Sequence, residues 1–200
     1  MSSPVLAING QAYFTIDTDL TQAGRQEMIY PIGVGPDQLV GFAVYVHGAE
    51  ALRGFNIDVT WDPELAAFSS KSDVLVEEDD ININGADITL AEELNVLDDP
   101  TKGPGEVKED GHYYVAWAKF GGDDVVPTGE GLVYYFVLKT SATFSAEMEL
   151  PVTIKVTVGS TTGGTSSRYL GQRSFIVNRD ISSDVKTSTW GNIKKQYKDF

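Results

Sequence analysis

The sequence predicts an all-β protein, a sandwich of antiparallel strands, and three observations predict it. The first is alternation. Phe42, Val44 and Val46 recur at period two in Leu39–Val46, and Phe55, Ile57, Val59 and Trp61 do the same in Leu52–Trp61. Successive side chains of a strand point to opposite faces of the pleat, so strict alternation marks a strand with one buried face. The second is the short connection Ala49-Glu50-Ala51 between these runs, which suits a hairpin or two close antiparallel neighbours. The third is that no segment with helical period rivals these runs before the C-terminus, while 20 glycines supply turns.

Taken in order, the strand candidates are Val5–Ile8, Tyr13–Asp17, Met28–Ile32, Leu39–Val46, Leu52–Trp61 and Leu65–Phe68. After a polar interval come His112–Phe120, Leu132–Thr140, Leu150–Val158 and Tyr169–Val177. Pro31, Pro36, Pro63, Pro127 and Pro151 fall at edges or between runs, where a missing N–H does least harm. Gly33-Val-Gly35, Gly121-Gly122, Gly129-Glu-Gly131 and Gly163-Gly164 break the runs. Residues 1–12 read as an N-terminal extension with one short strand, and residues 13–180 as the sandwich. Within the sandwich, 69–110 is a long acidic loop. Its one helix-like piece is Ile88–Leu97, where Leu90, Leu94 and Leu97 are spaced four and three apart. A connection of that length inside a compact domain is usually functional or carries structure of its own. Residues 181–200 change character: Trp190, Ile193 and Tyr197 form an apolar stripe with Lys186, Lys194, Lys195 and Lys198 around it, predicting a short basic amphipathic helix capped by Thr187, Ser188 or Thr189. That stripe is too small to fold alone and is the predicted contact with another copy.

Composition excludes several function classes. The 200-residue chain has 29 acidic and 15 basic residues, a net charge of −14. Such a surface repels phosphates, so nucleic acid is excluded as a partner, and an anionic membrane is disfavoured on the same ground. No run approaches the ~18 apolar residues of a membrane span. With no cysteine there are no disulfides, thiolate nucleophiles or thiolate metal sites. Met1-Ser-Ser-Pro-Val-Leu-Ala-Ile8 lacks the basic start and long apolar core of a signal peptide; the expectation is an extracellular or cell-surface protein from which the leader is already removed.

Asp80-Ile-Asn-Ile-Asn-Gly-Ala-Asp87 reads two ways. Asp80, Asn82 and Asn84 alternate as in the first half of a calcium loop, with Gly85 allowing the sharp turn, Asp87 following it, and Glu92 standing one place beyond the usual bidentate acid. Equally, Asn84-Gly85 between Ile81/Ile83 and Ile88/Leu90 is a type I′ hairpin signal. Ca²⁺ is thus the one cofactor the sequence suggests. Catalysis has little support: no Gly-x-Ser-x-Gly elbow is present, and His47 and His112, the only histidines, fall at strand ends where rim positions are expected. Aromatics offer a second class. In Tyr113–Phe120, Tyr113, Val115, Trp117 and Lys119 share one face, and Ala116 and Ala118 make the other the smaller, core-like one. Trp117 with Tyr113 is then a candidate exposed platform for a polysaccharide.

The ordered series resembles a known family. Phe14-Thr-Ile-Asp-Thr-Asp19, Gly24-Arg-Gln26 and Pro36-Asp37 lead it; Leu52-Arg-Gly-Phe55 and Thr60-Trp-Asp-Pro-Glu-Leu65 follow; His112–Lys119, Gly129-Glu-Gly131 and Leu150–Val158 complete it. Together these residues, over about 13–178, resemble the cohesin-like domains of bacterial secreted proteins. The resemblance implies a jelly-roll sandwich of about nine strands, no catalysis, and a protein-interaction or structural module outside the cell. The expected function is therefore a non-enzymatic, self-assembling module with Ca²⁺-assisted contacts, and the alternative is a carbohydrate-binding module.

Overall fold

The computed structural model describes residues 9–20, 31–69, 82–84, 86–87, 105–118, 130–160 and 166–179. Their strands are β1 (Tyr13–Asp17), β2 (Leu39–His47), β3 (Gly54–Trp61), β4 (Ala66–Phe68), β5 (Asn82–Ile83), β6 (Ala86–Asp87), β7 (Gly105–Glu109), β8 (His112–Ala118), β9 (Glu130–Thr140), β10 (Leu150–Ser160) and β11 (Ser166–Val177). They form a four-stranded sheet in the order β1-β2-β9-β4, a five-stranded sheet in the order β11-β10-β3-β8-β7, and the small hairpin β5-β6. Every ladder is antiparallel. The all-β sandwich expected from period two is what the described residues build.

β3 sets the core because it lies between β8 and β10. Its inward residues meet inward partners on both sides: Phe55 opposes Trp117 and Val158, Ile57 opposes Val115 and Val156, and Val59 opposes Tyr113 and Ile154. Phe14, Ile16, Phe42, Val44, Phe136 and Leu138 close the core from the other sheet. Phe42 stacks on Phe136 and meets Phe175 edge-on, with centroids 5.2 and 5.0 Å apart. Each such side chain removed from water contributes roughly 1.5–3 kcal/mol, which offsets the ordering of these long strands.

The two outer faces differ. Ala43, Tyr45, Leu132, Tyr135 and Val137, on the outer face of the four-stranded sheet, are buried together with Leu20. β2 is therefore buried on both faces, where alternation alone predicts polar residues outward. A bulge opposite Val44 and Tyr45 shifts the β9 register. That shift is why Val133 and Tyr134, adjacent in sequence, both reach the main core.

Several expectations are corrected. Pro31 and Ile32 lie outside any strand, although Met28–Ile32 reads as one. β7 falls inside the interval 69–110 read as a loop, and it joins β8 through the two residues Asp110 and Gly111. Gly111 has φ 76°, and a Cβ there would meet the Trp61 carbonyl and the Pro63 ring. Only glycine fits this turn. The segments Val5–Ile8 and Ile88–Leu97 and the amphipathic stretch 181–200 lie outside the described residues.

Candidate protein-interaction face

The register that aligns the core also aligns what points away from it. On the outer face of the five-stranded sheet, three rows cross β8, β3, β10 and β11. The first is His112, Thr60, Thr153 and Ser174. The second is Tyr114, Asp58, Lys155 and Gln172. The third is Ala116, Asn56, Thr157 and Tyr169. Short polar side chains dominate, so the surface is even and rich in donors and acceptors. Thr153 and Ser174 share a hydroxyl–hydroxyl hydrogen bond of 2.9 Å across the strands. The His112 Nε2 lies 3.4 Å from Asp58 Oδ1, and its Nδ1 lies 3.9 Å from Glu109 Oε2. Tyr169 is 57% exposed at one corner.

Beyond the third row the side chains nearly vanish: Ala118, Gly54, Gly159 and Ser167 oppose one another, and the face opens into a groove of about 310 Å³. A Cβ at Gly54 would run into the backbone carbonyl of Trp117. The ladder between β10 and the edge strand β11 is broken by a bulge, where Leu170 is the extra residue before Gly171 at φ 115°. Such a bulge protects a long edge strand against indiscriminate pairing.

The sequence-derived platform does not form on this face. Tyr113 is 1% and Trp117 5% exposed, both turned into the core. Trp117 stacks on Phe55 with centroids 6.0 Å apart, and the Tyr113 hydroxyl meets that of Tyr134 at 2.8 Å. Both faces of β8 carry aromatics, so its own alternation does not fix the phase. The inward phase of β3 does, because directly opposed residues share a face. His47 is corrected likewise: it is 2% exposed, with Nε2 2.6 Å from Thr15 Oγ1 and its ring stacked on Tyr13 at 4.5 Å. His112 does stand at the rim.

Of the candidate Ca²⁺ ligands, Asn82, Asn84 and Asp87 lie in the hairpin β5-β6, whose ladder pairs Asn82 with Asp87 and Ile83 with Ala86. Asn84 sits in the turn at φ 53°. Its carboxamide accepts from the Leu39 N–H and donates to the Leu39 carbonyl, each at 2.7 Å. Asp80 and Glu92 are outside the described residues, as are Trp190, Ile193 and Tyr197. Among the described residues, no group of three or more His, Cys, Asp or Glu side chains is placed to hold a metal ion. No described helix is long and apolar enough to cross a membrane.

Neither a protein-family model nor a curated protein matches the chain. Solved structures do match in fold. The sixth cohesin of scaffoldin B from Acetivibrio cellulolyticus, solved in complex with a dockerin, aligns with TM-score 0.54 and 16% identity, covering 84% of this chain and 99% of that one. A type II cohesin domain from the cellulosome of the same organism gives 0.53 and 10%, covering 84% and 95%. The seventh ScaB type I cohesin of Pseudobacteroides cellulosolvens gives 0.51 and 8%, covering 82% and 92%. This chain folds as a cohesin-like β-sandwich.

Proposed function

We propose that the chain is a non-enzymatic protein-interaction module whose partner docks on the outer face of the five-stranded sheet. The observation that carries this reading is the asymmetry of the two sheets. The outer face of the four-stranded sheet is buried along β2, whereas Asn56, Asp58, Thr60, Thr153, Lys155 and Tyr114 stand in solvent-accessible rows on the other. An even, polar surface with an aromatic at its corner suits a reversible protein contact, in which a few central residues carry most of the energy. The dockerin bound by the Acetivibrio cohesin makes dockerin modules the first partners to try.

On the same reading the protein works outside the cell as a subunit of an assembly. Trp190, Ile193 and Tyr197 supply a contact with another copy, and the segment from Asp80 to Glu92 takes up Ca²⁺. The sequence patterns at those positions support both.

The test is titration calorimetry of the full chain against a panel of type I and type II dockerin modules, with sedimentation of the chain alone for self-association. The double variant Asp58→Arg, Thr153→Arg places two bulky charges in the middle of the face without touching the core. We expect association in the wild type and its loss in this variant at an unchanged melting temperature. Association that survives the double variant contradicts the assignment of the face.

A further inference from the structure

The docking face holds one histidine, and that histidine has a carboxylate beside each ring nitrogen. Asp58 approaches His112 Nε2 from β3, and Glu109 approaches Nδ1 from β7. Neutral imidazole carries a single N–H, so one of these two approaches sets a lone pair against a carboxylate oxygen. With a second proton both nitrogens donate, and both carboxylates are drawn onto the ring. Among the described residues, Asp110 is exposed in the β7–β8 turn and Lys155 lies directly opposite Asp58 on β10. His47 is buried on the other sheet and does not face this corner.

From this geometry we infer that the face takes a cationic partner segment, one presenting Lys or Arg to Asp58 and Glu109, and that protonation of His112 releases it. The inference rests on the docking reading above and adds the partner's charge and its regulation. Charge favours that partner: among the described residues, Asp58, Glu109 and Asp110 stand at the corner with Lys155, on a chain of net charge −14. His112⁺ competes with the partner's cations for the same two carboxylates and adds a like charge beside them. Acidification, which adds the second proton, is therefore the trigger.

The test uses an alternating Lys–Thr decapeptide and the full chain, followed by amide chemical shifts near pH 7.5 and near pH 5. At the higher pH the peptide should perturb residues 56–60 and 109–114. Acidification should weaken that binding by about fivefold, the order expected for one exposed ion pair. His112→Asn, which cannot become charged, should bind about equally at both values; His112→Lys should bind weakly at both. Retention of the wild-type pH dependence in His112→Asn, or wild-type binding that ignores pH, overturns the inference and leaves the docking face standing. A peptide that perturbs other surfaces but never this face overturns the cationic partner, while the dockerin titration judges the face independently.

Discussion

Asn178, just past the end of β11, holds Val34 by both halves of its carboxamide. The Val34 N–H donates to Asn178 Oδ1 at 2.9 Å, and Asn178 Nδ2 donates to the Val34 carbonyl at 2.8 Å. The residues are 144 positions apart, so one side chain stands in for a strand bridge between the end of the last strand and the segment leading into β2. Its backbone N–H also donates to Pro31, and it sits at φ 63°, a conformation asparagine tolerates better than most residues. Asn178→Ala should cost about 1–3 kcal/mol by leaving the Val34 amide without its acceptor. Asn178→Gly should cost less than Ala, since glycine accepts the positive φ. Denaturant melts of the two variants check the order.

Trp117 separates the packing account from a ligand-platform account. Buried against Phe55, it should behave as a core residue: Trp117→Ala should destabilise by about 3–5 kcal/mol. Polysaccharide pull-down should not change under conditions where the variant remains folded. Stability unaltered by Trp117→Ala would contradict the inward phase of β8.

Calcium is tested through stability. A ligand bound only by the native state raises the melting temperature by mass action, so millimolar Ca²⁺ should raise it if Asp80, Asn82, Asp87 and Glu92 take up the ion. Asp80→Ala should remove most of that rise. Identical melts with Ca²⁺ and with chelator would leave β5-β6 as a hairpin docked on Leu39 and nothing more.

The termini have their own experiment. Deleting residues 183–200 should leave the β-dominated circular dichroism intact while reducing self-association seen by light scattering. Deletion of 1–8 should do the same, provided the cut spares Asn9. That side chain accepts from the Glu50 and Ala51 amides at 2.8 and 3.0 Å and donates to the Ala51 carbonyl at 2.7 Å, pinning the chain to the β2–β3 connection. If both truncations assemble as the full chain does, the termini are not the contact.

Period two was enough to read the strands that bury a full face: Tyr13–Asp17 coincides with β1, and the runs that became β2, β3, β8, β9, β10 and β11 differ from them mainly at their ends. β7 was hidden because Gly105-Glu-Val-Lys-Glu109 has one apolar residue; an edge strand has little to bury and so little pattern. Its trace in the sequence was Asp110-Gly111, a hairpin signal next to the start of an alternating run. Ala43 and Tyr45 misled differently, since a strand buried on both sides gives no polar phase. The interaction face was the least legible part. Asn56, Asp58, Thr153 and Lys155 are ordinary polar residues on two strands about a hundred positions apart, and only the β3–β10 register sets them side by side.

Two tyrosines of similar exposure give the central claim its most direct test. Tyr169 stands on the proposed docking face at 57% exposure, and Tyr13 stands on β1 in the other sheet at 47%. Hydroxyl-radical footprinting of the full chain, free and mixed with a dockerin module that the titration shows to bind, reads both in one sample. Docking through the five-stranded sheet predicts that oxidation of Tyr169 falls several-fold on association while that of Tyr13 is unchanged. Protection of Tyr13 with Tyr169 still fully reactive would place the partner on the wrong side of the sandwich and contradict the account.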